Sequence, residues 1–217
     1  MMRIAAVLLI GLMSDLTSGC GGRPPPPPRG VVEGDLGSWR FRRYQPVLDV
    51  EVWVEGNTAA AYTATYVRGE AEKQGRLGDR DLVSVFVTRY EKDDGVAQET
   101  ARFAKRLAKE SGYEVEETEI GGVRALSIRG HGEVWVMWTA ARHVVKVGGR
   151  GRDDVPESVV EAYAERYPST LASGALRAPL PAEKAEPAAP YDPNNPTPDW
   201  DSYDSKRGKT TSRPKKK

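Results

Sequence analysis

Residues 113–150 read YEVEETEIGGVRALSIRGHGEVWVMWTAARHVVKVGGR, and their punctuation decides the fold. Gly121-Gly122 makes a two-residue turn that tolerates positive φ at both places, and Gly130-His131-Gly132 turns the chain again. Between these breaks lie 113–120, 123–129, 133–139 and 143–148, each of strand length and rich in Val, Ile, Thr and Trp. Together they predict an antiparallel meander. Upstream, residues 81–90 (DLVSVFVTRY) predict the strongest strand of the chain, with Val83, Val85 and Val87 on one face and Leu82, Phe86 and Tyr90 on the other. Both faces are largely apolar, as for an interior strand covered on at least one side.

The period changes on either side of that strand. After Asp93-Asp94, the residues Val96, Thr100, Phe103, Ala104, Leu107 and Ala108 recur at helical spacing, and Gly112 closes the helix. A last helix starts near Pro156, shows Val159, Tyr163 and Tyr167 on its apolar face, and stops at Pro168. Residues 47–54 (VLDVEVWV) alternate, which predicts a strand with Leu48, Val50, Val52 and Val54 on one face and Asp49, Glu51 and Trp53 on the other. Residues 58–68 fit either a strand paired back on it or one helical face; Thr, Tyr and Val favour the hairpin. Residues 70–79 read as a loop. The expected architecture is α+β: a mostly antiparallel sheet of six or seven strands with two helices packed on one face.

Composition bounds the rest. The chain has 217 residues, 32 Lys and Arg against 31 Asp and Glu, and a net charge of +1. That balance excludes a uniformly basic nucleic-acid binder. The single cysteine excludes an internal disulfide or a cysteine-rich zinc site. Thirteen of the 16 prolines lie outside 39–176, so that interval is the expected globular domain. Five of them, Pro24 to Pro28, form a stiff polyproline II spacer within a linker over 20–38. Residues 177–217 carry no apolar periodicity; they are Pro-rich, then acidic, then basic, with seven cations over 206–217, and read as a disordered tail.

The first twenty residues are MMRIAAVLLIGLMSDLTSGC. Arg3 gives a positive start, Ile4 to Met13 an apolar run too short to span a bilayer, and Thr17-Ser18-Gly19 a small-residue site before Cys20. This segment resembles a bacterial lipoprotein signal peptide with its lipobox. Ser18 and Gly19 match the pattern; Thr17 stands where Leu is usual, with Leu16 one place earlier. The resemblance implies cleavage after residue 19, acylation of Cys20, and a lipid-anchored protein of the cell envelope facing the periplasm or the cell surface. With Gly21 rather than Asp after the cysteine, it favours the outer membrane. Two or three acyl chains on one residue suffice for stable anchoring.

The chemical inventory of the domain is thin. His131 and His143 are the only histidines, and their spacing matches no metal motif, though neighbouring strands would let them approach. Gly148-Gly149-Arg150-Gly151-Arg152 offers backbone amides and two guanidinium groups to an anion but lacks the GK[ST] of a P-loop. Trp135 and Trp138 are three apart in one strand and therefore point to opposite faces, one as core and one as an exposed anchor. The candidate binding residues are thus Trp135, Trp138, His131, His143, Arg150 and Arg152, with no metal site, cofactor or nucleic acid expected. The expected role is a monomeric partner-binding or structural module that meets an envelope protein or an anionic cell wall. The competing class is an envelope hydrolase with an unmarked site; a concave pocket with converging acids, His131 or His143 and a strongly shifted pKa would favour it, a flat sheet face with an exposed aromatic would favour binding.

Overall fold

The computed structural model describes residues 26–27, 29–110 and 112–179. The expected signal peptide, Cys20, most of the proline run and residues 180–217 lie outside the described residues. Among the described residues one antiparallel sheet of seven strands runs in the order β1-β2-β3-β7-β6-β5-β4. The strands are β1 (Trp39–Val47), β2 (Ala59–Arg68), β3 (Leu82–Tyr90), β4 (Tyr113–Ile120), β5 (Val123–Gly130), β6 (Glu133–Ala140) and β7 (His143–Arg150). Three α-helices accompany them: α1 (Gly69–Lys73), α2 (Val96–Leu107) and α3 (Glu157–Arg166). The chain is thus an antiparallel sheet with few helices, and the meander over 113–150 has the turns that its glycines predict.

The topology joins two meanders. β1-β2-β3 and β4-β5-β6-β7 meet where β3 pairs with β7, at Phe86 opposite Lys146. The chain must therefore travel from β3 to the far edge before β4. Four strand spacings amount to about 19 Å, and the twelve residues of α2 rise about 18 Å. Because β3 ends beside His143 and β4 starts opposite Gly130, the path also runs back along the strands, and α2 covers it together with the segments that flank it.

Successive residues of a strand face opposite ways, so two cores form. On one face Val83, Val85, Val87, Val145, Val147, Val136 and Trp138 pack with Val159, Val160 and Tyr163 of α3. On the other, Tyr90, Ile128, Met137 and Val144 pack with Val96, Phe103 and Leu107 around α2. The helices lie on opposite faces, which corrects the expectation of both on one. β3 is apolar on both sides because both sides are covered.

Three further expectations are corrected. The strand over 47–54 is replaced by β1, which begins at Trp39 and ends at Val47; β2 pairs with it from Trp39 opposite Arg68 to Val47 opposite Ala61. The favoured hairpin over 58–68 is therefore present, but its partner lies earlier in the chain. Residues 70–79 are not all loop, since α1 occupies their start. Residues 29–38 are not linker. Val31 is in the core, the Val32 amide donates to the Tyr163 hydroxyl at 3.1 Å, and the Tyr66 hydroxyl donates to the Val32 carbonyl. The Tyr167 hydroxyl donates to the Gly30 carbonyl at 2.8 Å. Three buried tyrosines thus strap this segment over the α3 face. Burial raises the Tyr66 and Tyr163 hydroxyls well above their ordinary value and pushes Tyr167 up to about 12.

The β1 edge is guarded. Pro46 removes a donor, a bulge interrupts the register between Phe41 and Arg43, and the Asp35 carboxylate takes the Phe41 amide at 3.1 Å. Among the described residues no helix is long and apolar enough to cross a membrane.

Candidate functional site

The connection between β1 and β2, residues 48–58, is an arm laid across the α2 face. Val52 and Val54 are buried in the core beside Tyr90, Val96 and Val144. Trp53 between them points out and is 70% exposed; Leu48 at the start of the arm is fully exposed. The alternation holds over 50–54 and comes from burial against a sheet face, not from pairing in the sheet; Leu48, expected on the face of Val52 and Val54, is instead exposed.

The arm is tied down along its length. The Tyr90 hydroxyl donates to the Val52 carbonyl at 2.6 Å, and burial pushes that hydroxyl up to about 12. Lys146 Nζ pairs with Glu51 at 2.5 Å. At the exit, the Asn57 side-chain amide donates to the carbonyls of Lys92 and Asp94 and its oxygen accepts from the Lys92 amide at 3.0 Å. Trp53 is therefore held outward by a backbone with little freedom to turn it in.

Lys146 connects the arm to an aromatic cluster on the same face. Its Nζ lies 4.4 Å from the Trp135 ring centroid and 5.7 Å from that of Phe86, and the two rings meet edge to face at 5.8 Å. The Trp135 indole N–H donates to Glu133 at 2.8 Å, and Arg150 Nε pairs with the same carboxylate at 2.7 Å. Chiefly the indole hydrogen bond, with Arg150 behind it, holds the Glu133 carboxyl below its ordinary range. Trp135 is half-buried in this lattice under Lys146, Phe86 and Glu133, which corrects the expectation of an exposed anchor in this strand. Trp138 is wholly buried on the opposite face, as the three-residue spacing requires.

This sequence matches no protein-family model, no curated protein and no solved structure. The residues alone carry the reading.

The other candidates do not converge. His131 sits in the β5–β6 turn at φ 50° and packs edge-on against Tyr113 at 4.7 Å. His143 begins β7 at the β6–β7 turn. The whole of β6 lies between these turns, about 25 Å. The expectation that the histidines approach each other is therefore wrong. Arg150 is spent on Glu133. Arg152 is buried over the Trp39 ring at 4.9 Å and donates to the carbonyls of Arg80 and Asp154, so the Arg150–Arg152 loop is no open anion cradle. Burial lowers the Arg152 guanidinium below its ordinary value.

His143 lines a cavity of about 650 Å³ with Glu91, Lys92, Asp93, Arg142, Arg166, Tyr167 and Thr170. Its Nδ1 faces the Ala140 carbonyl at 3.3 Å and its ring packs on Tyr167 at 5.0 Å. Burial lowers its pKa below the usual 6.5, and Arg142 and Arg89 push the same way. The folded state therefore binds this proton less readily than the unfolded chain. Stability contributed here is full above pH 6.5 and is lost as pH falls through 6.5 toward the lowered value. We expect the melting temperature to drop across that window in the wild-type protein and to drop less in His143→Gln; equal slopes in calorimetric scans would exclude His143 as the cause.

Trp53 and Leu48 are the site residues that the sequence reading missed. The signal was Trp53 flanked by two valines; what it could not supply was that those valines bury against a face.

Proposed function

We propose that the chain is a lipid-anchored protein of the bacterial envelope whose sheet domain binds a partner, without catalysis. Anchoring rests on the signal-like N-terminus and the lone Cys20; the favoured outer membrane rests on Gly21. Binding rests above all on one observation, the outward tryptophan Trp53 fixed between the buried Val52 and Val54. Tryptophans in such settings dominate interface energetics because they bury a large area at low entropic cost.

The hydrolase reading has the His143 cavity in its favour. Against it, the His143 Nδ1 faces a backbone carbonyl, and the ring is packed on Tyr167. No histidine–carboxylate hydrogen bond is present among the described residues to orient a general base.

The anchor has its own test. Wild-type protein from membranes is expected to partition into detergent and to carry the mass of diacylglycerol plus an amide-linked acyl chain on a chain starting at Cys20. Cys20→Ala is expected to lose both. A wild-type protein without acyl mass ends the anchoring part of the proposal.

A further inference from the structure

Leu48 and Trp53 share a rim of charge. The arm supplies Asp49, Glu51 and Glu55, and the adjoining β3–α2 connection supplies Glu91, Asp93 and Asp94, all exposed. The two segments touch: the Glu91 amide donates to the Thr58 carbonyl, and Asn57 bonds Lys92 and Asp94. Lys92, Lys146, Arg142 and Arg166 are the neighbouring cations, Arg166 lining the same cavity as Glu91 and Asp93, and Lys146 is paired with Glu51. Acids thus outnumber cations six to four around the exposed pair, in a chain whose net charge is +1.

From the binding reading above, we infer that this arm docks a protein surface in which an apolar pocket for Trp53 is rimmed by lysine or arginine. The charge selects this occupant. An anionic lipid surface would repel the rim, since such surfaces attract basic segments. A second copy presenting the same patch would set like charges against each other across a two-fold interface. A basic rim turns the other five carboxylates, Glu51 being paired with Lys146, into steering and register. The arm pre-pays the ordering cost: Val52, Val54, the Tyr90 hydroxyl, the Glu51–Lys146 pair and Asn57 fix it before any partner arrives. Leu48, at the start of the arm, is a second exposed apolar side chain on the same segment.

The test uses the full chain carrying Cys20→Ala, so that no acyl chain contributes, and three probes: a labelled amphipathic peptide of leucine and lysine, the same peptide with glutamate for lysine, and phosphatidylcholine vesicles. Fluorescence anisotropy is expected to show binding of the lysine peptide alone. Trp53→Ala is expected to weaken that binding by about 30-fold, the loss typical of a hot-spot tryptophan. Asp49→Asn with Glu55→Gln is expected to slow association and flatten its salt dependence. Trp53 is exposed, so its replacement leaves the fold intact, and an unchanged melting temperature checks this. Equal affinity of Trp53→Ala and its parent overturns the proposal, as does equal binding of the glutamate peptide or Trp53-dependent binding of the vesicles. The broader binding reading does not depend on the partner's charge and is tested separately by cross-linking from position 53.

Discussion

Trp138→Ala is expected to destabilise the domain by about 3–5 kcal/mol, the usual cost of truncating a buried aromatic. For a domain of this size the melting temperature falls by on the order of 10 °C. Trp138 is completely buried among Val136, Val145, Val147, Tyr163 and Tyr167. Its indole N–H also donates to the Tyr167 carbonyl at 2.8 Å, just past the end of α3. The tryptophan therefore joins β6 to the last helix by packing and by a hydrogen bond. Trp138→Phe keeps most of the volume but strands the carbonyl, a loss of about 1–3 kcal/mol. Urea unfolding of both variants measures the two parts. A change under about 1 kcal/mol in Trp138→Ala would show that this core is not packed as described.

Gly148→Val is the second large effect, expected at about 3 kcal/mol or more. Gly148 in β7 stands opposite Trp135 in β6. A Cβ built there would lie 2.1 Å from the Val134 carbonyl oxygen and 2.8 Å from the Trp135 Cα and Cε3. The nearest obstacle is paired backbone, which cannot swing aside, so the strands themselves must part. Trp135 would leave Phe86 and Lys146, and the near-ultraviolet dichroism should change with the stability. Gly122→Ala is the comparison. Nothing lies within 4 Å of its Cβ position, and only its φ of +73° opposes the substitution, so it should cost about 1 kcal/mol.

The strands from β3 onward were legible because the chain punctuates them with glycine and alternates between. Trp135 and Trp138 were legible as opposite-facing for the same reason. Residues 47–54 misled because alternation records burial on one side and not what does the burying. Val52 and Val54 lie on a sheet face; a strand at that position would show the same pattern. The side taken by each helix was hidden too: β3 offers valines to one face and Phe86 and Tyr90 to the other, so either face would accept α2 or α3. Val31 and Val32 are a single apolar pair in a polar stretch, too short for any period to show. The tyrosines that hold them, Tyr66, Tyr163 and Tyr167, come from distant parts of the chain. The separation of the histidines was hidden because neighbouring strands bring two turns together only when both lie at the same end, and His131 and His143 sit at opposite ends of β6.

A photoreactive amino acid at position 53 tests the central claim, that this arm is the binding surface of an anchored envelope protein. It is placed in the full chain, in intact cells, beside a control at Leu77, an exposed apolar residue between α1 and β3 at the other end of the sheet. Illumination is expected to give one discrete adduct of higher mass from position 53 and none from position 77. No adduct from position 53, or the same set from both, would contradict the account.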